Sequence, residues 1–436
     1  MNYKIYNGHL VDFIADSPTP FHAVNNMQQS LDEAGFQHLK EKDKWELKAG
    51  SGYYVTRNDS SIIAFIFGAQ PTKETGIRLV GGHTDSPCLK IKPNPDVYKK
   101  SYYQLGVEVY GGVLLGSWFD RDLSIAGKVV YKRAGGGPHE SLIDLKRAVG
   151  TIPSLAIHLN REANTSHSIN AQTDILPVLN KCGDTKEELK AVLAKELASQ
   201  LPSTPDLGAI SILDYDLYFY DTQKPSIMGL KEDFLSSARL DNLLSCFAGL
   251  QALLASDKQV TSILACYDHE EVGSVSAIGA NGAFLESLLD RLYSEPEEKS
   301  RIIAQSILVS TDNAHGIHPN FPDKHDQNHA PIINEGLVIK VNANQRYTTN
   351  CSTSSFFKNL CKEANIPTQC FVSRSDMSCG STIGPITAAN IGIKAIDIGV
   401  PTFAMHSIRE LAGTDDAYYL FQLLSAFLDT KKLPLA

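Results

Sequence analysis

The chain has 436 residues, 43% of them hydrophobic, which is enough apolar material for a sizeable core and a length that suggests two or three domains. Its 40 basic and 49 acidic residues leave a net charge of -9, which argues against a nucleic-acid or anionic-membrane surface as partner. No apolar run reaches the ~18 residues of a membrane span and MNYKIYNGHL does not read as a signal peptide; eight cysteines without a CxxC pair are no disulfide framework, so a reducing cytoplasm is the expected home.

Along the chain, residues 20–34 predict a helix, with Thr19 as cap, Pro20 in the first turn and Gly35 at its end. SIIAFIF (61–67) and GIRLVGG (76–82) are short apolar runs of the kind buried strands use. From about Lys92 the texture changes: SYYQLGVEVYGGVLLGSWFDRDLSIAGKVVYK is rich in glycine, aromatic and β-branched residues, the composition of antiparallel strands and tight turns. RAGGGPHE (133–140) is followed by no P-loop lysine and reads as a flexible turn. A charged helix is expected over 186–201, and SILDYDLYFYD (211–221) alternates like a half-solvated strand. From about Ser236 a helix, SSARLDNLLSCFAGLQALLAS, opens a run of strands (TSILACY, SILVST, LVIKVN, IKAIDIG) separated by helix-length segments. Such alternation implies an α/β domain with a mostly parallel sheet covered by helices. The expected organisation is one α/β domain built from 1–91 and 229–436, interrupted by a β-rich insertion over 92–228.

Ligands of open parallel sheets bind beyond the carboxyl ends of the strands. There the sequence repeatedly places histidine and carboxylate: IRLVGG runs into His83-Thr84-Asp85, SILACYD into His269-Glu270-Glu271, SILVST into Asp312 and IKAIDIGVPTFAM into His406, with Asp241 in the first turns of a helix. This is donor chemistry for a hard-to-borderline divalent metal. His83, Asp241, Glu271, Asp312 and His406 are more ligands than one catalytic zinc needs, and a carboxylate shared between two ions about 3.5–4 Å apart would use all five. Glu270, beside Glu271, would then serve as general base, and the HxD spacing lets Asp85 accept a proton from His83. Each motif alone has a plainer reading: a solvated loop for HxD or Glu-Glu, a hydrogen-bonded histidine for His406, a helix-start acid for Asp241. His315 and His318 suit turn or supporting roles, and His325 and His329 read as loop residues.

The stretches GGHTDSPCLKIKP (81–93), VEVYGGVLLGSWFDRDL (107–123), SSARLDNLLSCFAGLQAL (236–253), YDHEEVGSVSAIGA (267–280), STDNAHGIHPN (310–320), VIKVNANQRYTTN (338–350), GSTIGPI (380–386) and MHSIRE (405–410) together resemble the aspartyl aminopeptidase family of dinuclear metallo-aminopeptidases. The resemblance implies a metallo-aminopeptidase-like catalytic domain, an inserted dimerisation domain and a dodecamer built from dimers. It implies two divalent ions, zinc first, with manganese or cobalt compatible with the same ligands. Asp241 would bridge them, His83 and Asp312 would complete one set and Glu271 and His406 the other, with Glu270 the general base and Asp85 orienting His83. A neighbouring subunit would supply a histidine, for which His158 in SLAIHLNR is the best match; a place in an alternating strand is its plainer alternative. The implied substrates are peptides with a free amino terminus, preferably led by Asp or Glu. Lys340, a lysine in an apolar strand, Tyr347 and Met405 are the candidates for reading that first side chain, although a snorkelling lysine and ordinary methionine packing would explain two of them. A leucine-like specificity, a related dinuclear deacylase or dipeptidase, and a non-catalytic protein on the same scaffold are the competing expectations.

Overall fold

The apolar runs become strands of a nine-stranded sheet in the computed structural model, which describes residues 2–133, 136–182, 187–200 and 210–433. The sheet's centre is parallel: Ser262–Tyr267, Arg78–His83, Ile307–Thr311 and Lys394–Gly399 lie side by side and run the same way. The strands Leu337–Val341 and Thr368–Val372 pair parallel to each other but antiparallel to Lys394–Gly399. Their fully buried apolar residues face helices on both sides, among them Pro20–Glu33, Leu240–Ala255, Phe284–Leu292 and Thr414–Leu428. A small five-stranded sheet, from Ser226–Met228, Phe234–Ser237, Glu410–Gly413, Pro401–Phe403 and Ala314–His315, completes this unit, which comprises 1–86, 225–405 and 410–436.

The central strand Arg78–His83 is held at its start as well as its end. Arg78 is fully buried, and its guanidinium donates to the carbonyls of Thr75 (2.8 Å) and Thr430 (2.9 and 2.5 Å). Those bonds satisfy a charge that would otherwise be costly to bury.

The second unit comprises 87–224 and 406–409. It holds a six-stranded antiparallel sheet and an apolar core that includes Trp118, Leu123, Ile125, Leu217 and Ile408, with the helix Leu189–Gln200 packed on it. The division falls at 86/87 and 224/225, where the sequence suggested 91/92 and 228/229. Strand Cys88–Lys99 already pairs with Tyr102–Tyr110, and Ser226–Met228 pairs with Phe234–Ser237. The inclusion of 406–409 was not expected.

Three local expectations change. The Thr19 hydroxyl sits 2.8 Å from His22 Nδ1 and makes no cap to the helix backbone. The helix expected from Ser236 begins at Leu240, because 234–237 joins the small sheet. SLAIHL forms no strand: His158 lies exposed in a turn. The expected helix over 186–201 is Leu189–Gln200 among the described residues, and 134–135 of the glycine-rich turn lie outside them. No helix among the described residues is long and apolar enough to cross a membrane.

Candidate active site

His83 closes its strand and is only 1% exposed. Its Nδ1 lies 3.0 Å from the Asp85 carbonyl oxygen and 3.4 Å from Asp85 Oδ1, so this nitrogen is engaged by the HxD loop. Nε2 is the nitrogen turned toward a set of carboxylates: Asp241 Oδ1 at 3.4 Å, Asp312 Oδ1 at 3.7 Å and Glu270 Oε2 at 4.0 Å. The His83 carbonyl accepts from the buried Cys246 thiol at 3.0 Å, which ties the strand end to the helix beneath it.

The neighbouring glutamates sit in a single 3-10 turn, Glu270–Val272, beyond the strand Ser262–Tyr267. His269 turns the chain with φ 68° and Gly273 ends the turn with φ 100°, a conformation glycine adopts without penalty. The Asp85 carboxylate takes the amide N–H of Glu270 on one oxygen and that of Glu271 on the other, each at 3.1 Å. Asp85 therefore does more than face His83. It satisfies two turn amides at once and fixes where both glutamate side chains begin.

Asp241 does not sit in regular helix. Its φ of -83° and ψ of 102° break the first turn of Leu240–Ala255; its amide donates to Glu410 Oε2 (3.0 Å) and its carbonyl accepts from Ser86 Oγ (2.7 Å). Those two bonds replace the helical ones the break forfeits. Asp312 follows the strand Ile307–Thr311, with its amide on the Ile398 carbonyl at 3.0 Å. Its Oδ2 receives Lys340 Nζ at 3.2 Å, so a lysine 2% exposed in an otherwise apolar strand already has a partner.

Such crowding of acids around one imidazole perturbs every member. Burial pushes the Glu270 carboxyl up to about 8; His83 opposes the rise, and Asp312, Glu271 and Asp85 add to it. Burial acts to raise Asp312 too, but Lys340 and His83 outweigh it and hold that carboxyl below the usual range. Burial disfavours a charged His83, yet Asp241, Asp312, Asp85 and Glu270 together raise it well above an ordinary histidine.

The donors fit a divalent metal. His83 with Asp241 and Asp312, and His83 with Glu270 and Glu271, each offer ligand atoms within 4.8 Å of one another. Bonds of about 2.0–2.2 Å to a tetrahedral ion would set its ligands about 3.4 Å apart. The 3.4 and 3.7 Å separations at His83 Nε2 match that edge. Positive charge at this point would also relieve the repulsion among the carboxylates.

Beside the cluster, in the same unit, lies a cavity of about 300 Å³ whose wall includes Tyr347 and Met405 together with His315, Phe371, Arg374 and Phe403. The Tyr347 ring centroid is 5.4 Å from Lys340 Nζ. His315 and His318, read as turn residues, and His325, read as a loop residue, all line this cavity. Only the three-residue step from Asp312 to His315 hinted at that, because Phe371, Arg374 and Cys379 reach the wall from a distant strand and loop. The other two candidate residues, His158 and His406, belong to the second unit. His406, half-buried with φ 68°, sets Nδ1 3.1 Å from the Gly112 carbonyl, and a Cβ on residue 112 would come within 3.0 Å of that nitrogen.

The sequence profile described as Aminopeptidase I zinc metalloprotease (M18) matches residues 13–428. A probable M18 family aminopeptidase 2 from Ectopseudomonas mendocina is 56% identical over 426 residues, covering 98% of each chain. Among solved structures, a chain of the Ape4 and Nbr1 complex matches with a TM-score of 0.94 at 39% identity, over 98% of this chain and 86% of that one. Yeast aminopeptidase 1 (Ape1) matches with a TM-score of 0.83 at 29% identity, over 98% and 97%. A strand-end site of histidine and carboxylates, on a mixed α/β fold shared with these proteins over nearly its whole length, places the chain in the M18 family of zinc metallo-aminopeptidases.

Proposed function

We propose that this chain removes unblocked amino-terminal Asp and Glu from peptides in the cytoplasm, using two divalent ions and working as a homo-oligomer. The carrying observation is the gathering of His83, Asp241, Asp312, Glu270 and Glu271, from four separate chain segments, into two groups of ligand atoms that share His83. His83 and Asp312 would hold one ion, Glu271 and His406 the other, and Asp241 would lie between them. Ions so held supply a polarised scissile carbonyl and a more acidic water. Glu270, with its backbone fixed by Asp85, takes the proton from the attacking water and returns it to the departing amine. Asp85 keeps His83 Nδ1 engaged, which leaves Nε2 for the metal.

The acidic preference rests on Lys340. Its ammonium has three donors, and Asp312 takes one, which leaves others for a substrate carboxylate. Tyr347, whose ring lies 5.4 Å from Lys340 Nζ, and Met405 both belong to the cavity wall. A leucine-like preference is the second reading, favoured by the existing Lys340–Asp312 pair and by the apolar walls that Phe371, Val372, Phe403 and Met377 contribute. The assembly is a dodecamer built from dimers formed through the inserted unit, with exposed His158 reaching a neighbour's site. A solved relative described as the S. cerevesiae mApe1 dodecamer supports this assembly. Rates on Asp-, Glu- and Leu-leading peptides, free and N-acetylated, test the reading. Fast cleavage of free Asp- and Glu-peptides with acetylated ones inert is expected; a clear leucine preference removes the role of Lys340, and cleavage of acetylated peptides points to a deacylase.

A further inference from the structure

Asp397 lies in the middle of the strand Lys394–Gly399, is fully buried, and is neither a donor in the metal cluster nor a residue of the cavity wall. Its carboxylate is nonetheless fully engaged. One oxygen accepts the amide (2.6 Å) and hydroxyl (2.7 Å) of Thr348, and the other accepts the Thr382 hydroxyl at 2.5 Å. Its own amide donates to Thr349 Oγ at 3.1 Å. Thr382 in turn caps the helix Ile383–Ile391 by accepting from the Gly384 amide, and a Cβ on residue 384 would fall 2.5 Å from Asp397 Oδ1.

Both segments it ties lead into the cavity wall. Tyr347 precedes Thr348, and Cys379 and Gly380 lie just before Thr382; all three line the cavity. Tyr347 also covers Lys340, the partner of Asp312. We propose that Asp397 is a positioning residue for substrate: its buried carboxylate joins the 347–349 segment to the 380–384 turn, and so sets the gap between two cavity walls and the place of Tyr347 over Lys340. This builds on the proposed role of the cavity in reading the first residue of the peptide. It predicts an effect on substrate binding rather than on chemistry, because Glu270, Glu271 and Asp241 are held by Asp85 and Glu410, and Asp312 by the main-chain carbonyl of Ile398, none of them by the Asp397 carboxylate.

The test uses the full-length, metal-loaded enzyme with the free peptide it cleaves fastest. Thr348→Val deletes one hydroxyl bond at a half-buried position and should raise KM about five- to tenfold with kcat within about twofold. Bound metal should stay unchanged, Cys379 should react faster with a thiol reagent as read by mass spectrometry, and Thr348→Ser should restore both KM and labelling. Asp397→Asn should act in the same direction and more strongly. An unchanged KM with unchanged Cys379 labelling, or a lowered melting temperature alone, overturns the proposal, as does joint loss of kcat and metal. A wild-type enzyme indifferent to acidic side chains would overturn the role of Lys340, yet leave the labelling and KM readouts of Asp397 standing.

Discussion

The carboxylate cluster and the neighbouring cavity occupy the same unit but are built differently. The cluster hangs from the ends of three adjacent parallel strands, and backbone amides fix its members: those of Glu270 and Glu271 on Asp85, that of Asp241 on Glu410, and that of Asp312 on Ile398. The cavity is walled by loops and an outer strand, with half-exposed side chains such as Met405 and Val372. Reaction chemistry needs reacting atoms held to a fraction of an ångström, whereas selectivity for a side chain tolerates, and changes through, loops. The expectation is that damage to the cluster costs turnover, and that damage to the cavity costs discrimination.

The sharpest way to break that contrast is Glu270→Gln. It should keep its bound metal and lose turnover by at least about a thousandfold, the scale of general-base catalysis; metal analysis and single-turnover rates check it, and near-wild-type turnover would sink the assignment. Asp85→Asn comes next. It exchanges one acceptor for a donor that faces an amide N–H, and kcat and metal affinity should each fall about 10- to 100-fold. Titration with a competing chelator measures the second loss. Lys340→Met probes the cavity side: the ratio of kcat/KM for Asp- over Leu-leading peptides should drop about tenfold, one charge-assisted contact. A ratio that stays put would confine Lys340 to its pair with Asp312.

The smallest effect concerns a carboxylate that is neither a metal donor nor a residue of the cavity wall. Asp416, fully buried in the helix Thr414–Leu428, accepts the amides of Asn334 (2.5 Å) and Gly336 (2.9 Å). Burial pushes its carboxyl up to about 7 despite those bonds. A folded pKa above the unfolded one means the folded state binds the proton more tightly. The stabilisation is complete below pH ~4 and is lost as pH rises through 7. It amounts to a few kcal/mol at most, since each tenfold gain in proton affinity is worth about 1.4 kcal/mol. Asp416→Asn should flatten this slope in denaturant melts between pH 4 and 8, and leave kcat within about twofold because no substrate-facing bond changes.

The strands that carry the site could be read from their apolar runs, and so could the polar residues following Gly82, Tyr267 and Thr311. Each is a local signal, a buried strand ending in a group that apolar packing does not need. What the sequence hid depends on partners far along the chain. Asp85 accepting amides 185 and 186 residues away, Glu410 holding Asp241 and Lys340 spent on Asp312 leave no local pattern. The helix expected to begin at Ser236 failed for the same reason, since pairing with Glu410–Gly413 overrides the local preference of 236–237. The cavity was the least visible feature. Its histidines sit in segments that look like ordinary loops, and Arg374, tied to Asp376 and to the Asp323 carbonyl, looks like a surface ion pair.

Arg78 and His83 stand at opposite ends of one six-residue strand, and both are locked. A strand pinned at its foot by a guanidinium clasp and at its crown by Asp85 has little freedom to wander when the crown is stripped of its ion. The apoenzyme should therefore persist as a ready-made socket, with an unaltered far-ultraviolet dichroism spectrum after chelation. Revival on adding zinc should run at the pace of ion capture rather than of chain rearrangement.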